Sequence, residues 1–550
     1  MNTKNIKHFL LAGMVTIGMG AAVTACSDWD DHYEGTAGDR LSGATLWQQL
    51  KANPQLSDFC EVLEQTKVYR MHKKTPVSYA DMLSSGQAFT VMAPLNGTFN
   101  KDSLLTLVQT VAGDSSVEKS FVQNHMSRSI ISVRPDSARL LMLNQKRLVM
   151  ADGKIDNVAV TTANTHAGNG VLHVLQTALN YKRNLFEAFC DDPDLSVIGD
   201  NLRRFNEDLF DPIASVSSGV IDGVPVYVDS VVNERNRLLE QIGLLKDEDS
   251  TYVVVAPTTD GWNEAWDEAV SYFEYDEGIE KRDSLTQFNA MRALLEDAVF
   301  NMTDQRSPDD SLISVPYLRE TLSYTPGKRI YHVFKNPFAP GGILYGAKAV
   351  KCSNGTLYTT EKWPFTPQDT YFKEMFVEGE ATYLITEYTN GIYNIRQVNA
   401  DSISDGKYLR ISPTTATANW DMTFQVNNTL SGSYDVYAII LPKSVYNQTE
   451  PDQRPCKFKA TINYLDKKGK MQKYDCTTED GKSEFTSDPT RIDTVLIAKD
   501  FKFPVSSYGQ SGLRASIKLT CSITARQTAS YAREMFLDCI YLRPHTSKSE

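Results

Sequence analysis

Recognisable catalytic signatures are missing from this sequence of 550 residues. It has no Gly-x-Ser-x-Gly elbow, no His-Glu-x-x-His, no phosphate loop and no dinucleotide fingerprint leading into a helix. Those absences remove the motif-bearing hydrolases, zinc peptidases, nucleotide hydrolases and dehydrogenases. Cysteine is sparse, at eight, and no two stand at the close spacing that a zinc site needs. There is no basic surplus either: 56 Lys and Arg stand against 68 Asp and Glu, a formal charge of -12, which argues against nucleic acid as a partner. Beyond Val23 no stretch is long and apolar enough to span a bilayer. The acids are numerous enough that counting alone leaves a glycosidase pair open.

The chain does contain a cassette used twice. Phe89 to Phe99 reads FTVMAPLNGTF and Tyr252 to Trp262 reads YVVVAPTTDGW. Each is a β-rich run stopped by Ala-Pro, then a polar turn with a glycine, then an aromatic opening a helical pattern. Downstream of each comes a matching element, Asn169-Gly170-Val171-Leu172-His173-Val174 and Asn354-Gly355-Thr356-Leu357-Tyr358-Thr359. Upstream, Leu46 to Leu56 aligns with Leu185 to Leu195, with leucines, aromatic and proline in step. Three ordered anchors recurring in two blocks predict tandem domains, the second enlarged between Leu195 and Tyr252 and again before Asn354.

Within the first block, apolar residues around Pro54 predict two short helices, and Leu104 to Val111 and Val117 to Met126 predict two more. Strands follow, with Asp152-Gly153 as a hairpin turn. In the second block Val220 to Val228 reads as a small hairpin and Val231 to Leu245 as a helix. Ser271 to Glu277 reads as a surface loop or helix end, and Arg306 to Asp310 as a polar loop. Trp262 and Trp266, one helical turn apart, read as core. Helices gathered early and strands late give an α+β fold.

Strand, Ala-Pro, turn and aromatic, closed by an Asn-Gly strand, resembles the fasciclin domain, a mixed α/β module of extracellular adhesion proteins. The first copy matches closely and includes His125 where the family commonly has a central histidine. The second departs from the pattern: no histidine stands near Asn301, and Tyr358 replaces His173. The resemblance marks His125, Asn169, Gly170 and His173 as structural motif residues. His125 is expected to tie helix to sheet, His173 to lie on a strand flank, and Asn169-Gly170 to form a tight turn through its backbone. A metal-ligand or general-base role for the histidines finds no companion acid or cysteine beside them in sequence.

From Tyr371 to Tyr541 strand patterns dominate. Eight are expected: Ala381 to Glu387, Tyr408 to Ile411, Trp420 to Val426, Ser433 to Leu441, Phe458 to Tyr464, Arg491 to Ala498, Ala515 to Ser522 and Phe536 to Leu542. They favour a β-sandwich. The runs Gly432 to Tyr437 and Phe536 to Pro544 look like those of jelly-roll, galactose-binding-like modules. Trp363, Trp420, Tyr408, Tyr434 and Tyr531 are available to stack on sugars, though most should be core.

At the start of the chain, Lys4 and Lys7 precede an apolar stretch from Phe9 to Val23 and then Val23-Thr24-Ala25-Cys26. This is the layout of an export signal, and the placing of Cys26 resembles a bacterial lipoprotein signal, with that thiol acylated; the competing reading is an ordinary secretory signal. The acidic run Ser27 to Glu34 resembles the surface-export signal of lipoproteins in Bacteroides-like bacteria, or serves as a hydrated tether. The remaining seven cysteines leave room for one or two disulfides in the last third.

The expected organisation is thus a signal over 1–25, a tether over 26–42, fasciclin-like domains over 43–182 and 183–366, and a sandwich over 367–546. The function read from it is a non-enzymatic, outward-facing outer-membrane lipoprotein that binds extracellular glycan or protein. The alternative is an accessory subunit of a glycan-uptake complex. No cofactor, metal or catalytic residue is expected.

Overall fold

The computed structural model describes residues 43–70, 73–221, 224–302, 311–314, 332–399, 402–446, 448–449 and 451–545, without the side chains of 214–233. Cys26, the signal, the tether, the Asp222-Gly223 turn and the Arg306 to Asp310 loop lie outside the described residues. Among these no helix is long and apolar enough to cross a membrane. The chain divides into two compact units, Met1–Tyr181 and Lys182–Glu550.

In the first unit Thr45 closes a capping box on Leu46–Ala52, and Asn53 caps a 3-10 turn over Pro54–Leu56 before the helix Ser57–Gln65. Pro54 divides the two helices because it lacks an N–H to donate and suits the first position of the following turn. A hairpin, Lys67–Arg70 with Lys73–Ser78, and a helix, Tyr79–Ser84, add elements that no strong sequence periodicity announces. The cassette strand Phe89–Pro94 is buried along its whole length. It runs parallel to Gly170–Leu175 from Phe89↔Gly170 to Pro94↔Leu175. These two sit inside a seven-stranded sheet whose other ladders are antiparallel. Asp152 and Gly153 both take positive φ, 52° and 70°, as a type I′ hairpin turn requires.

The second unit repeats the opening. Asn184 closes a capping box on Leu185–Asp191, Asp192 caps Pro193–Leu195, and the helix Ser196–Arg203 follows. Its cassette strand Tyr252–Pro257 runs parallel to Gly355–Thr360, from Tyr252↔Gly355 to Pro257↔Thr360, within a four-stranded sheet. The helix expected over Val231 to Leu245 is replaced by a long hairpin, Asn206–Ile221 with Val224–Asn236, and only Leu239–Ile242 is helical. Val231 and Val232 pair with Asp211 and Phe210 in that ladder, where β-branched residues are at home. Asn236 then stops the strand by accepting hydrogen bonds from the N–H groups of Leu238 and Leu239 at 3.0 Å.

Among the described residues, twelve strands after Pro367 form two antiparallel sheets of six. One has the order Gly391–Gln397, Lys407–Pro413, Met535–Pro544, Ser433–Ile440, Asp493–Lys502, with Met375–Glu378 also on Met535–Pro544. The other has the order Ile385–Thr389, Asp421–Gln425, Ala515–Cys521, Lys457–Leu465, Met471–Asp475, with Phe485–Thr486 also on Lys457–Leu465. Each of the eight expected runs overlaps a strand, though in Ala381 to Glu387 the residues Thr382–Leu384 form a 3-10 turn and the strand begins only at Ile385. Met375–Glu378, Gly391–Gln397, Met471–Asp475 and Phe485–Thr486 are additional; they lie at ladder sides, where the apolar alternation is weak.

Between the second block and these sheets the core is continuous. Ser271 to Glu277, expected as a surface loop or helix end, ends the helix Thr259–Tyr272 and forms the joint through Tyr272, Phe273 and Asp276. Tyr272 tilts on Phe372 at 4.6 Å, Phe273 meets Tyr508 edge-on at 5.7 Å, and Asp276 pairs with Arg514 at 2.5 Å. Phe273 and Tyr275 are buried in it because each ring carries a large apolar area, while Ser271, Glu274 and Glu277 stay exposed. All seven described cysteines are free, so the room for disulfides in the last third is not used.

Candidate binding surface

The motif residues of the first block face inwards and satisfy one another. His125 Nδ1 donates to the Phe121 carbonyl at 2.8 Å, while Nε2 accepts the Leu179 N–H at 2.9 Å. Burial holds its pKa down at about 4. His173, central in the closing strand and fully buried, donates from Nε2 to the Ile131 carbonyl at 2.9 Å and accepts the Asn164 N–H on Nδ1 at 3.0 Å. Both rings are neutral backbone connectors.

Asn169 does more than the backbone turn expected of it. Its Oδ1 accepts the Leu46 N–H at 2.7 Å, and its Nδ2 donates to the Leu83 and Ser85 carbonyls at 2.8 and 2.7 Å. The side chain therefore staples the opening helix and the Tyr79–Ser84 helix end to the closing strand. Gly170, at φ 148°, leaves no room for a side chain, because a Cβ would stand 1.9 Å from the Phe89 carbonyl oxygen.

Asn354 repeats the staple, accepting from the Leu185 N–H at 2.9 Å and donating to the Leu245 and Asp247 carbonyls at 2.9 Å. Gly355, at φ 153°, repeats the close approach, with its absent Cβ 1.9 Å from the Tyr252 oxygen. Where His173 stands in the first copy, Tyr358 packs on Phe338 at 5.4 Å. Neither set of motif residues is presented to a ligand.

Of the aromatics available for sugar stacking, Trp420, Tyr408 and Tyr434 are at most 1% exposed and belong to the core. Trp363 meets Trp262 edge-on at 6.0 Å and Phe365 at 5.2 Å, and Tyr531 lies beneath Lys457 Nζ at 5.5 Å. The structure instead brings forward residues one position along the same strands. In Ser433–Ile440, Tyr434, Val436 and Ala438 enter the core, so Asp435 and Tyr437 lie on the opposite face of the sheet, Asp435 buried and Tyr437 half-buried. In Met535–Pro544, Tyr541 and Arg543 share that face.

Register then aligns Phe376↔Tyr541↔Tyr437 in one row and Asp435↔Arg543 in the next. The rings of Phe376 and Tyr541 are stacked at 4.8 Å and 13°, those of Tyr541 and Tyr437 at 5.6 Å and 24°. Tyr541 thus shares both faces with neighbours, whereas Phe376, 40% exposed, keeps its outer face open. Polar groups edge the row. The Tyr541 hydroxyl donates to Glu374 at 2.5 Å, and Arg543 donates to the Tyr437 hydroxyl at 2.6 Å and to Asp435 at 2.9 Å. His545 stands 3.0 Å from Asp435. The period-two pattern in Gly432 to Tyr437 carried this signal, but a shift of one residue selects the inward tyrosine.

Beside the row lie three carboxylates. Glu378 is paired with Cys539 in register, and Ser404 donates to its Oε1 at 3.0 Å. Glu378 Oε2, Glu380 Oε2 and Asp538 Oδ1 are buried without a hydrogen-bond partner. Burial raises all three groups, Glu378 to about 7 and Asp538 to about 6. These groups therefore retain protons at pH values where exposed carboxylates are ionised. Among the described residues no group of three or more His, Cys, Asp or Glu is arranged to hold a metal ion.

The outer face of the other sheet has a different character. Thr461 and Lys518 stand opposite each other on neighbouring strands, and Asp421 pairs with Lys518 at 2.9 Å. Thr423, Gln425 and Asn463 occupy the same alternation, away from the core residues Met422, Phe424 and Ile462. No aromatic side chain interrupts this polar set.

No family model matches the chain, and no curated protein matches it. Solved structures similar to it include the FAS1 domain pair from the insect cell adhesion molecule Fasciclin I, at 14% identity over 58% of this chain and 99% of that one, with a TM-score of 0.20. A family 35 carbohydrate-binding module from Clostridium thermocellum is 13% identical over 32% of this chain and 99% of that one, with a TM-score of 0.19. The CBM22-1 and GH10 modules of xylanase 10B from the same organism are 6% identical, with a TM-score of 0.19. That match spans 30% of this chain and 27% of the xylanase chain. Likenesses this distant carry no functional argument, which rests on the side chains.

Proposed function

We propose that the chain is a non-catalytic binding protein that recognises an extracellular carbohydrate on the outer face of the sheet centred on Met535–Pro544. The observation that carries this reading is the row Phe376–Tyr541–Tyr437 with Glu374, Asp435 and Arg543 along its sides. A sugar ring has apolar C–H faces and a rim of hydroxyls, so it needs an open aromatic face beside paired donors and acceptors. Phe376 supplies the face, and the exposed Glu374 and Arg543 supply the rim contacts, with the buried Asp435 holding the guanidinium in place.

In this reading the two Asn-Gly blocks are fasciclin-like domains serving as scaffold and spacer, and the twelve strands form a jelly-roll module. The chain is a lipoprotein acylated at Cys26, anchored in the outer membrane of a Bacteroides-like bacterium and turned outwards. An accessory place in a glycan-uptake complex is compatible with the same surface.

The test is a soluble-glycan panel titrated against the full-length protein, with reducing ends assayed throughout. Binding without new reducing ends, weakened about tenfold by Phe376→Ala, is the expected result. Release of reducing ends, or a panel with no ligand, overturns the reading.

A further inference from the structure

The outermost strands of the two C-terminal ladders differ in how they are protected. Asp493–Lys502 has two breaks in register and carries Lys499 and Lys502. Ile385–Thr389 has a register break between Ile385 and Glu387, and Met471–Asp475 carries Lys473. Bulges and edge lysines are the usual means of stopping another strand from adding. Gly391–Gln397 has neither. It pairs with Lys407–Pro413 without a shift, from Gly391↔Pro413 to Gln397↔Lys407, and contains no proline or lysine. Ile392 is 53% and Ile395 47% exposed along it, and Tyr388, 52% exposed, packs edge-on against Tyr393 at 5.1 Å.

The backbone parity is fixed at both ends. The Thr414 N–H donates to the Asn390 carbonyl and the Val398 N–H to the Gly406 carbonyl, so even-numbered residues bond inwards. Antiparallel bonding alternates. Tyr393, Ile395 and Gln397 therefore turn their N–H and C=O groups to the open side. Pro413, which has no N–H, stands opposite Gly391, where none is required.

We propose that this edge docks an extended acidic peptide segment of a partner protein, added as a further strand. Charge selects the occupant. Arg396 is exposed, lies over the Tyr446 ring at 5.5 Å and makes no ion pair among the described residues. Ile392, Asn394 and Arg396 share one face of the strand, and Tyr393 and Ile395 share the other. The matching segment alternates apolar side chains against Tyr393 and Ile395 with carboxylates beside Arg396. This surface is separate from the aromatic row, so the two proposals stand or fall independently.

The probe is a fluorescein-labelled peptide alternating valine and aspartate, compared with its valine and lysine counterpart, by anisotropy on the full-length protein. The acidic peptide should bind about tenfold more tightly. Ile395→Pro removes an outward N–H that no ladder uses, and should cut binding about tenfold with the melting midpoint held. Ile395→Lys makes the same test should the proline variant fail to fold, and Arg396→Glu should reverse the preference between peptides. Equal binding of both peptides, or undiminished binding by the Ile395 variants, overturns the proposal. So does a concentration-dependent dimer abolished by Ile395→Lys, which would assign the edge to a second copy of the chain.

Discussion

The two Asn-Gly blocks keep the same wiring and differ in almost everything attached to it. In both, an asparagine Oδ1 accepts the first N–H of the opening helix, its Nδ2 donates to two carbonyls, and the next glycine lets the cassette strand approach. The shared part is a junction where backbone comes too close for any side chain and where polar groups would otherwise be orphaned. The rest is open to change. The first copy ties its loops with two buried histidines; the second uses Tyr358 there, carries a long hairpin, and runs its core into the C-terminal sheets. Wiring that points inwards builds scaffold, and the proposed recognition surface lies where side chains are not used up by that wiring.

That comparison breaks if the junctions are unequal. Gly170→Val and Gly355→Val should each cost about 4 kcal/mol or more, since each forces a side chain into a strand carbonyl at a positive φ. Urea unfolding of the full chain checks it, and a variant with an unchanged midpoint would remove its copy from the pattern. Asn169→Ala and Asn354→Ala should each cost about 3 kcal/mol, because each leaves one buried N–H and two carbonyls without partners.

Acid should separate the copies. The folded pKa of His125 is about 4 against an ordinary 6.5, so the unfolded chain binds more protons between those values. Its stability contribution is complete above pH 6.5 and is lost as pH falls, by about 2 kcal/mol at pH 5. His173, also lowered by burial, adds to that loss. Glu118 in the same unit is raised by burial and acts the other way, so His125→Gln, which cannot be protonated, isolates the histidine slope. In the second unit Glu378 and Asp538 are raised, so their contribution is complete only below about pH 4 and is lost progressively as pH rises toward 7. Hydrogen-exchange protection factors, corrected for the intrinsic rate at each pH, should therefore fall in acid at Phe89–Pro94 relative to Tyr252–Pro257; an equal fall in both would contradict the difference.

Much of the scaffold was legible because its causes are local. Ala-Pro ends a strand, Pro54 divides two helices, and Asp152-Gly153 turns a hairpin whatever surrounds them. The hairpin over Val220 to Val228 is legible, but the reach of its arms to Asn206 and Asn236 is not, because Val231 to Leu245 carries a helical apolar spacing and only pairing with Asn206–Ile221 decides against it. From sequence Asn169 reads only as turn backbone, because its partners, Leu46, Leu83 and Ser85, are far away in the chain. The proposed binding face is hidden in the sequence for a simpler reason. Tyr434 and Tyr437 lie on one strand, and which of them faces outwards depends on which side the partner sheet covers.

The most direct measurement titrates a glycan taken from the panel against three forms of the full-length protein. These are the unaltered chain, Phe376→Ala with Tyr437→Ala on the aromatic face, and Thr461→Ala with Lys518→Ala on the polar face. The account predicts affinity lowered roughly thirtyfold or more by the first pair and held within about twofold by the second, with all three melting as folded proteins. Equal loss from both pairs, or loss from the polar face alone, would contradict the assignment of recognition to the row Phe376–Tyr541–Tyr437.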